Sequence, residues 1–235
     1  MNILAFDTCL GACSAAVGVA AGGALENVES LYEEMPSGQA ERLMPMIDAA
    51  MRAAGIGFAA LDRIAVTTGP GTFTGTRIGI AAARALALAT GASVVGMSTL
   101  ELMGMEAAHA IGRQRAGRNL AVTVDAHRGQ VYAQLFGTVG EAPCSPPQLL
   151  TIAEAADLAR ATPTVFAGSG AAAVAAAASA AGHRAEAVLP EFQPNAAYLL
   201  LAAQSRQPTS SPLRPLYLRP ADAKPQAGKA LARSS

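Results

Sequence analysis

Apolar and polar positions follow two rhythms along this chain. Runs 3–6 and 13–20 stay apolar and 24–32 alternates, which predicts three strands, the first two joined by a turn over 8–12. Ser37 then opens a helical pattern lasting to about residue 54, with Glu41 early in it and Gly55 closing it. A β-branched run at 64–68 predicts a strand and the glycines of 69–75 a turn. A helix over 76–90 stopped by Gly91, a strand at 93–96 and a helix over 98–110 follow.

The same order then returns. Strands are expected at 120–124, 130–136 and 148–152, a helix at 153–161, a strand at 164–167, an alanine-rich helix at 171–181, a strand at 185–189 and a helix at 195–206. Asp7 and Asp125 each end a first strand before a hairpin. Gly69/Gly71 and Gly168/Gly170 each open a strand-to-helix turn. A βββαβαβα order used twice implies an α/β protein of two halves around a cleft, residues 1–110 and 111–206. Residues 207–235 differ in kind: proline-rich and basic, they read as a tail, solvated over 221–235 and packed back on the body over 215–220.

Composition narrows the chemistry. Charged residues are 14% of the 235, hydrophobic ones 51%, and 17 basic residues balance 17 acidic ones. Only Lys224 and Lys229 are lysines, so a P-loop or Schiff-base lysine is excluded from the body. Aromatics are 4% with no tryptophan, which argues against a base-stacking platform. Cys9, Cys13 and Cys144 follow no disulfide or metal spacing and suit a reducing cytoplasm. The start has Asp7 and no basic run, unlike a signal peptide, and the uncharged stretch 161–183 is broken by proline and glycines, so no membrane association is expected.

The most specific run is Gly69-Pro70-Gly71-Thr72-Phe73-Thr74-Gly75-Thr76-Arg77. It lacks the third glycine of a dinucleotide fingerprint and the Lys-Ser/Thr of a Walker loop. A rigid turn capped by Thr72 or Thr74 therefore outweighs a phosphate cradle. Asp7, Asp125, Gly168 and Gly170 are weak candidates for a nucleotide or metal site, against the plainer reading of turn acids bonded to their own hairpins. His109, His127 and His183 have no ligand spacing. No catalytic constellation and no cofactor are expected. Two helices say more. Over 40–54, Leu43, Met44, Ile47 and Met51 form an apolar stripe. Over 76–90, Ile78, Gly79, Ala82, Ala83 and Leu86 belong to a helix that is apolar on nearly every side. Such helices are either core or covered by another protein, and these nine residues are expected to form a partner interface.

Several segments together resemble the TsaB/YeaZ family of tRNA threonylcarbamoyladenosine biosynthesis: Ile3-Leu-Ala-Phe-Asp7-Thr8, Arg42-Leu-Met-Pro45-Met46, the 69–79 run with Ile78 and Gly79, Ser98-Thr-Leu-Glu101, Val124-Asp125-Ala126 with Gly129-Gln-Val-Tyr132, and Leu216-Tyr217-Leu218-Arg219. The resemblance implies an actin/Hsp70/sugar-kinase-like fold. It implies a non-catalytic subunit that pairs, through its N-terminal half, with a TsaD-like enzyme transferring threonylcarbamoyl to adenosine 37 of tRNA, joined by a TsaE-like ATPase. TsaD-like enzymes carry two metal-binding histidines on the first long helix, and the corresponding positions here are Gln39 and Leu43. A homodimer when the partner is absent, and tRNA contact only indirect or weak, complete that expectation. The reading from another class is an actin-fold small-molecule kinase or ATPase using Asp7 and Asp125.

Overall fold

The two apolar runs and the alternating run that follows them fold as a meander. β1 (Asn2–Asp7), β2 (Ala12–Ala21) and β3 (Ala24–Glu34) pair antiparallel, with Phe6 opposite Ala15 and Ala15 opposite Leu31. Crossover helices then make the remaining pairings parallel, as a strand-helix-strand connection requires. α1 (Gln39–Ala53) leads to β4 (Arg63–Thr67) beside β1, and α2 (Phe73–Thr90) leads to β5 (Ser93–Met97) beside β4. The sheet order is β3-β2-β1-β4-β5, and α3 (Thr99–Ile111) ends the unit. The structure, a computed structural model, describes residues 1–138 and 142–219; the tail expected over 221–235 lies outside them.

The second unit repeats the plan. It contains β6 (Asn119–Asp125), β7 (Gln130–Phe136), β8 (Gln148–Thr151), α4 (Ile152–Ala156), β9 (Thr164–Ala167), α5 (Ala171–Ala180), β10 (Ala185–Val188) and α6 (Ala196–Ser205). Its sheet order, β10-β9-β6-β7-β8, is that of the first sheet, with β6 in the place of β1. This is the duplicated actin/Hsp70/sugar-kinase-like α/β fold.

Each sheet is covered on both faces. Leu4, Phe6, Ile64 and Val66 pack under Leu43, Ile47 and Met51 of α1 and Ile80 and Ala83 of α2. The other face of that sheet, Ile3, Ala5 and Ala65, is covered by Leu199, Leu200 and Ala203 of α6. The second sheet meets α4 and α5 on one face, and Leu100, Met103 and Ala107 of α3 on the other. The closing helix of each unit therefore covers the other unit's sheet. Gly104 makes this possible on α3, because a Cβ there would overlap the ring of Phe136.

Helix starts differ from expectation in two places. α1 begins at Gln39 behind Gly38, whose φ of 94° is left-handed, rather than at Ser37. α2 begins at Phe73, not Thr76: the Thr72 hydroxyl accepts the Gly75 N–H at 3.1 Å, so the expected turn ends at Thr72. The chain after α6 packs back earlier than expected. Thr209 N–H donates to Val94 O at 2.8 Å on the free edge of β5, and Leu213 is buried among the α1/α2 core. Leu216 N–H reaches Thr68 O at 2.7 Å, and Arg219 donates to Gln130 Oε1 at 2.9 Å in the second unit.

Candidate functional site

Open parallel sheets offer ligands the crevice at the carboxyl ends of their strands. Asp7 ends β1 there, yet it is fully buried. Its Oδ2 accepts from the Thr67 hydroxyl and its Oδ1 from Cys9 N–H at 3.2 Å. Burial pushes its pKa up to about 6 against those two hydrogen bonds, which pull the other way. The neighbouring Cys9 thiol, 3.2 Å from Thr67 Oγ1, is pushed up to about 12 by burial and by Asp7, so it is inert as a nucleophile.

The glycine-rich loop packs on the two residues that follow Asp7. Thr72 N–H donates to Cys9 O at 2.7 Å, and Thr8 Oγ1 donates to Gly75 O at 2.7 Å. A Cβ on Gly71 would come within 2.9 Å of the Cys9 Cβ, and one on Gly75 would overlap Thr8 O. The glycines let the start of α2 lie directly on the β1–β2 turn. The N–H groups of Thr72 and Gly75 are taken, the latter by the Thr72 hydroxyl, so neither is offered to a phosphate and the loop is a turn capped by Thr72.

The second unit repeats the device. Gly168 has φ 106°, and a Cβ there would stand 2.6 Å from Thr123 O; Gly170 N–H donates to that same oxygen at 2.9 Å. Gly168 and Gly170 thus serve close packing on β6. Asp125 is half-exposed beside a cavity of about 240 Å³. Its Oδ1 accepts His127 N–H at 2.9 Å and its own N–H donates to Ser169 Oγ at 3.0 Å, so it is a turn acid. Across that cavity Gln193 Oε1 accepts Gly11 N–H at 2.8 Å. Asp125 lines this cavity and Asp7, fully buried, does not.

Gln39 and Leu43 also face inward. Gln39 is buried and its amide donates to Leu10 O at 3.3 Å and Met35 O at 3.1 Å, fastening the start of α1; Leu43 is core. Among the described residues no group of three His, Cys, Asp or Glu side chains is placed to hold a metal. No helix of the described residues is long and apolar enough to cross a membrane.

The helix pair α1/α2 needs correction residue by residue. Leu43, Ile47, Met51, Gly79 and Ala83 are buried beneath the pair, because the stripe facing the sheet is the one these residues occupy. Ile78, Ala82 and Leu86 are half-buried at the seam. Outward stand Met44 on α1 and, on α2, Phe73, Arg77, Ala81, Ala85 and Leu88; Leu88 is 89% exposed. Phe73, Arg77 and Tyr217 form a surface cluster. The sequence marks Tyr217 only as part of the 216–219 family segment, and nothing in the pattern of 76–90 singles out Leu88. The i, i+4 relation of Phe73 and Arg77 was available, but only with the helix started at Phe73.

Fold and surface together define a small actin-like protein with its first strand-end acid withdrawn into the core and an apolar, arginine-bearing helix face turned outward. Residues 34–219 match the family model described as "TsaD: tRNA N6-adenosine threonylcarbamoyltransferase". The chain is 33% identical over 132 residues to the tRNA threonylcarbamoyladenosine biosynthesis protein TsaB of Escherichia coli, a match covering 56% of this chain and 53% of that one. It is 37% identical over 194 residues to an uncharacterized Mycobacterium tuberculosis protein, covering 80% and 78%. The solved structure of YeaZ from Pseudomonas aeruginosa superposes with a TM-score of 0.69 at 30% identity, covering 86% of this chain and 91% of that one. The chain belongs to this family, in its TsaB/YeaZ branch.

Proposed function

We propose that this protein is a non-catalytic subunit in the formation of threonylcarbamoyladenosine on tRNA, working by pairing with a TsaD-like catalytic paralogue. The observation that carries the reading is the family match over 34–219 combined with Gln39 and Leu43, which are spent on the local fold instead of on a metal. The outward face of α1 and α2 supplies the contact. Met44, Ile78, Ala82 and Leu86 continue into the exposed Phe73, Ala81, Ala85 and Leu88, an apolar surface of the sort that a partner covers. A TsaE-like ATPase joins the pair, and two copies use the same face when the paralogue is absent. tRNA is met through the partner.

Leu88→Glu tests this without touching the core. The variant is expected to lose co-purification with the paralogue and to lower tRNA modification in a reconstituted mixture, with its melting temperature within about 2 °C of the parent, as for a surface change. Full complex formation by the variant would show that this face is not the contact.

A further inference from the structure

An arginine on a helix surface ordinarily samples many rotamers, and fixing it on binding costs side-chain entropy. Arg77 is held by two contacts. Its guanidinium carbon lies 3.6 Å from the ring centroid of Phe73, one turn back on α2, and its Nε–H donates to the Tyr217 hydroxyl at 2.8 Å. Phe73 and Tyr217 stack at 5.8 Å with planes 20° apart. Among the described residues no acceptor is hydrogen-bonded to its two terminal amines. The rings are themselves 58% and 48% exposed, an unusual placement in a chain so poor in aromatics. Exposed aromatic and arginine side chains held in one conformation are what interface hot spots are made of.

The charge around the cluster selects its ligand. Residues 1–111 carry ten acids against five arginines, yet α2 has no acid and two arginines, Arg77 and Arg84, both on its outward face. Arg84 is engaged with Leu213 O, which leaves the terminal amines of Arg77 as a donor fork bordered by Ala81 and Phe73. We propose that Arg77, clamped by Phe73 and Tyr217, anchors the partner-binding face by taking one carboxylate side chain of the partner protein in a forked pair. This rests on the reading of α1 and α2 as the face that meets the paralogue. A carboxylate is favoured over an RNA phosphate because a polyanion would also meet the acids of this half, and because a small cation site in an apolar surround suits one charge, not a row of them. Tyr217 acts as a positioning residue and arrives with the strap that follows α6, residues 209–219, so the anchor is set only when that strap is docked.

Calorimetric titration of the full chain against the purified paralogue, at low and at moderate salt, tests this with five variants. Arg77→Ala is expected to weaken binding about 30-fold or more, the range of a hot spot. Arg77→Lys should lose nearly as much, because an ammonium cannot present the fork. Tyr217→Phe keeps the stack and loses the hydrogen bond, and should cost about 3-fold, with Arg77→Ala adding less on that background than on the parent. Wild-type affinity should fall more steeply with salt than that of Arg77→Ala. If Arg77→Ala binds within twofold of the parent while Leu88→Glu fails to bind, the anchor is wrong and the interface stands. If neither variant matters, the interface itself is wrong and the anchor falls with it. Arg77→Lys at parental affinity overturns the forked pair, and loss of tRNA affinity by Arg77→Ala with intact paralogue binding overturns the carboxylate in favour of phosphate.

Discussion

Asp7 shows how one residue's surroundings decide its role. As a strand-end acid it is placed for ligand chemistry; as a fully buried carboxyl bonded to Thr67 and Cys9 it is a structural group. Its folded pKa, about 6, stands above the ordinary 3.8. Between those values the native state holds a proton that the unfolded chain has released. The stabilisation is therefore full below about pH 4 and is lost as pH rises through 6, up to roughly 3 kcal/mol in all. Asp7→Asn keeps an acceptor for Cys9 N–H and a donor toward Thr67. It is expected to raise stability at pH 7.5 by roughly 1–3 kcal/mol and to flatten the fall between pH 4 and 7, read from urea midpoints at both ends. Some slope will persist, since burial also pushes Glu106 on α3 up to about 7. The acid-ended strand was legible in the sequence. That the glycines after β4 pack on the turn beside it was not, because that packing depends on where Thr8 O and Cys9 O lie in space.

At the scale of elements, the strands were the more legible part, since each is a short apolar, β-branched or alternating run bounded by turn residues. Helix faces were harder. An all-round apolar helix such as α2 says that both of its sides are covered or coverable, but not which side is which. The sheet took Gly79, Ile80 and Ala83, leaving Leu88 outside, and α1 likewise committed Leu43, Ile47 and Met51 inward. The placement of α3 carries its own prediction. Gly104→Ala forces a methyl into the ring of Phe136 and should cost roughly 1–3 kcal/mol by overpacking. Phe136→Leu should recover part of that loss in the double variant, a coupling measurable by a thermal double-mutant cycle.

For the whole molecule, the exchange of α3 and α6 between sheets and the strap over 209–219 bind the two units into one. Leu213 is the strap's hold on the first core. Leu213→Ala should destabilise by roughly 2–4 kcal/mol, visible as a lowered melting temperature. It should also free the edge of β5 for self-association, visible by light scattering. Because Tyr217 rides on the same strap, this variant should bind the paralogue more weakly although it lies outside the contact face. By itself the sequence determined the twice-used βββαβαβα order, the strand-end positions of Asp7 and Asp125, the glycine turns and the family. All of these are encoded in local periodicity, turn chemistry or contiguous motifs. Only the tertiary structure decided that the crevice acid is sealed, which half of each apolar helix is core, and that Phe73, Arg77 and Tyr217 meet. The physical reason is that each of these rests on contacts between residues distant along the chain, and on which of several apolar faces water is removed from first.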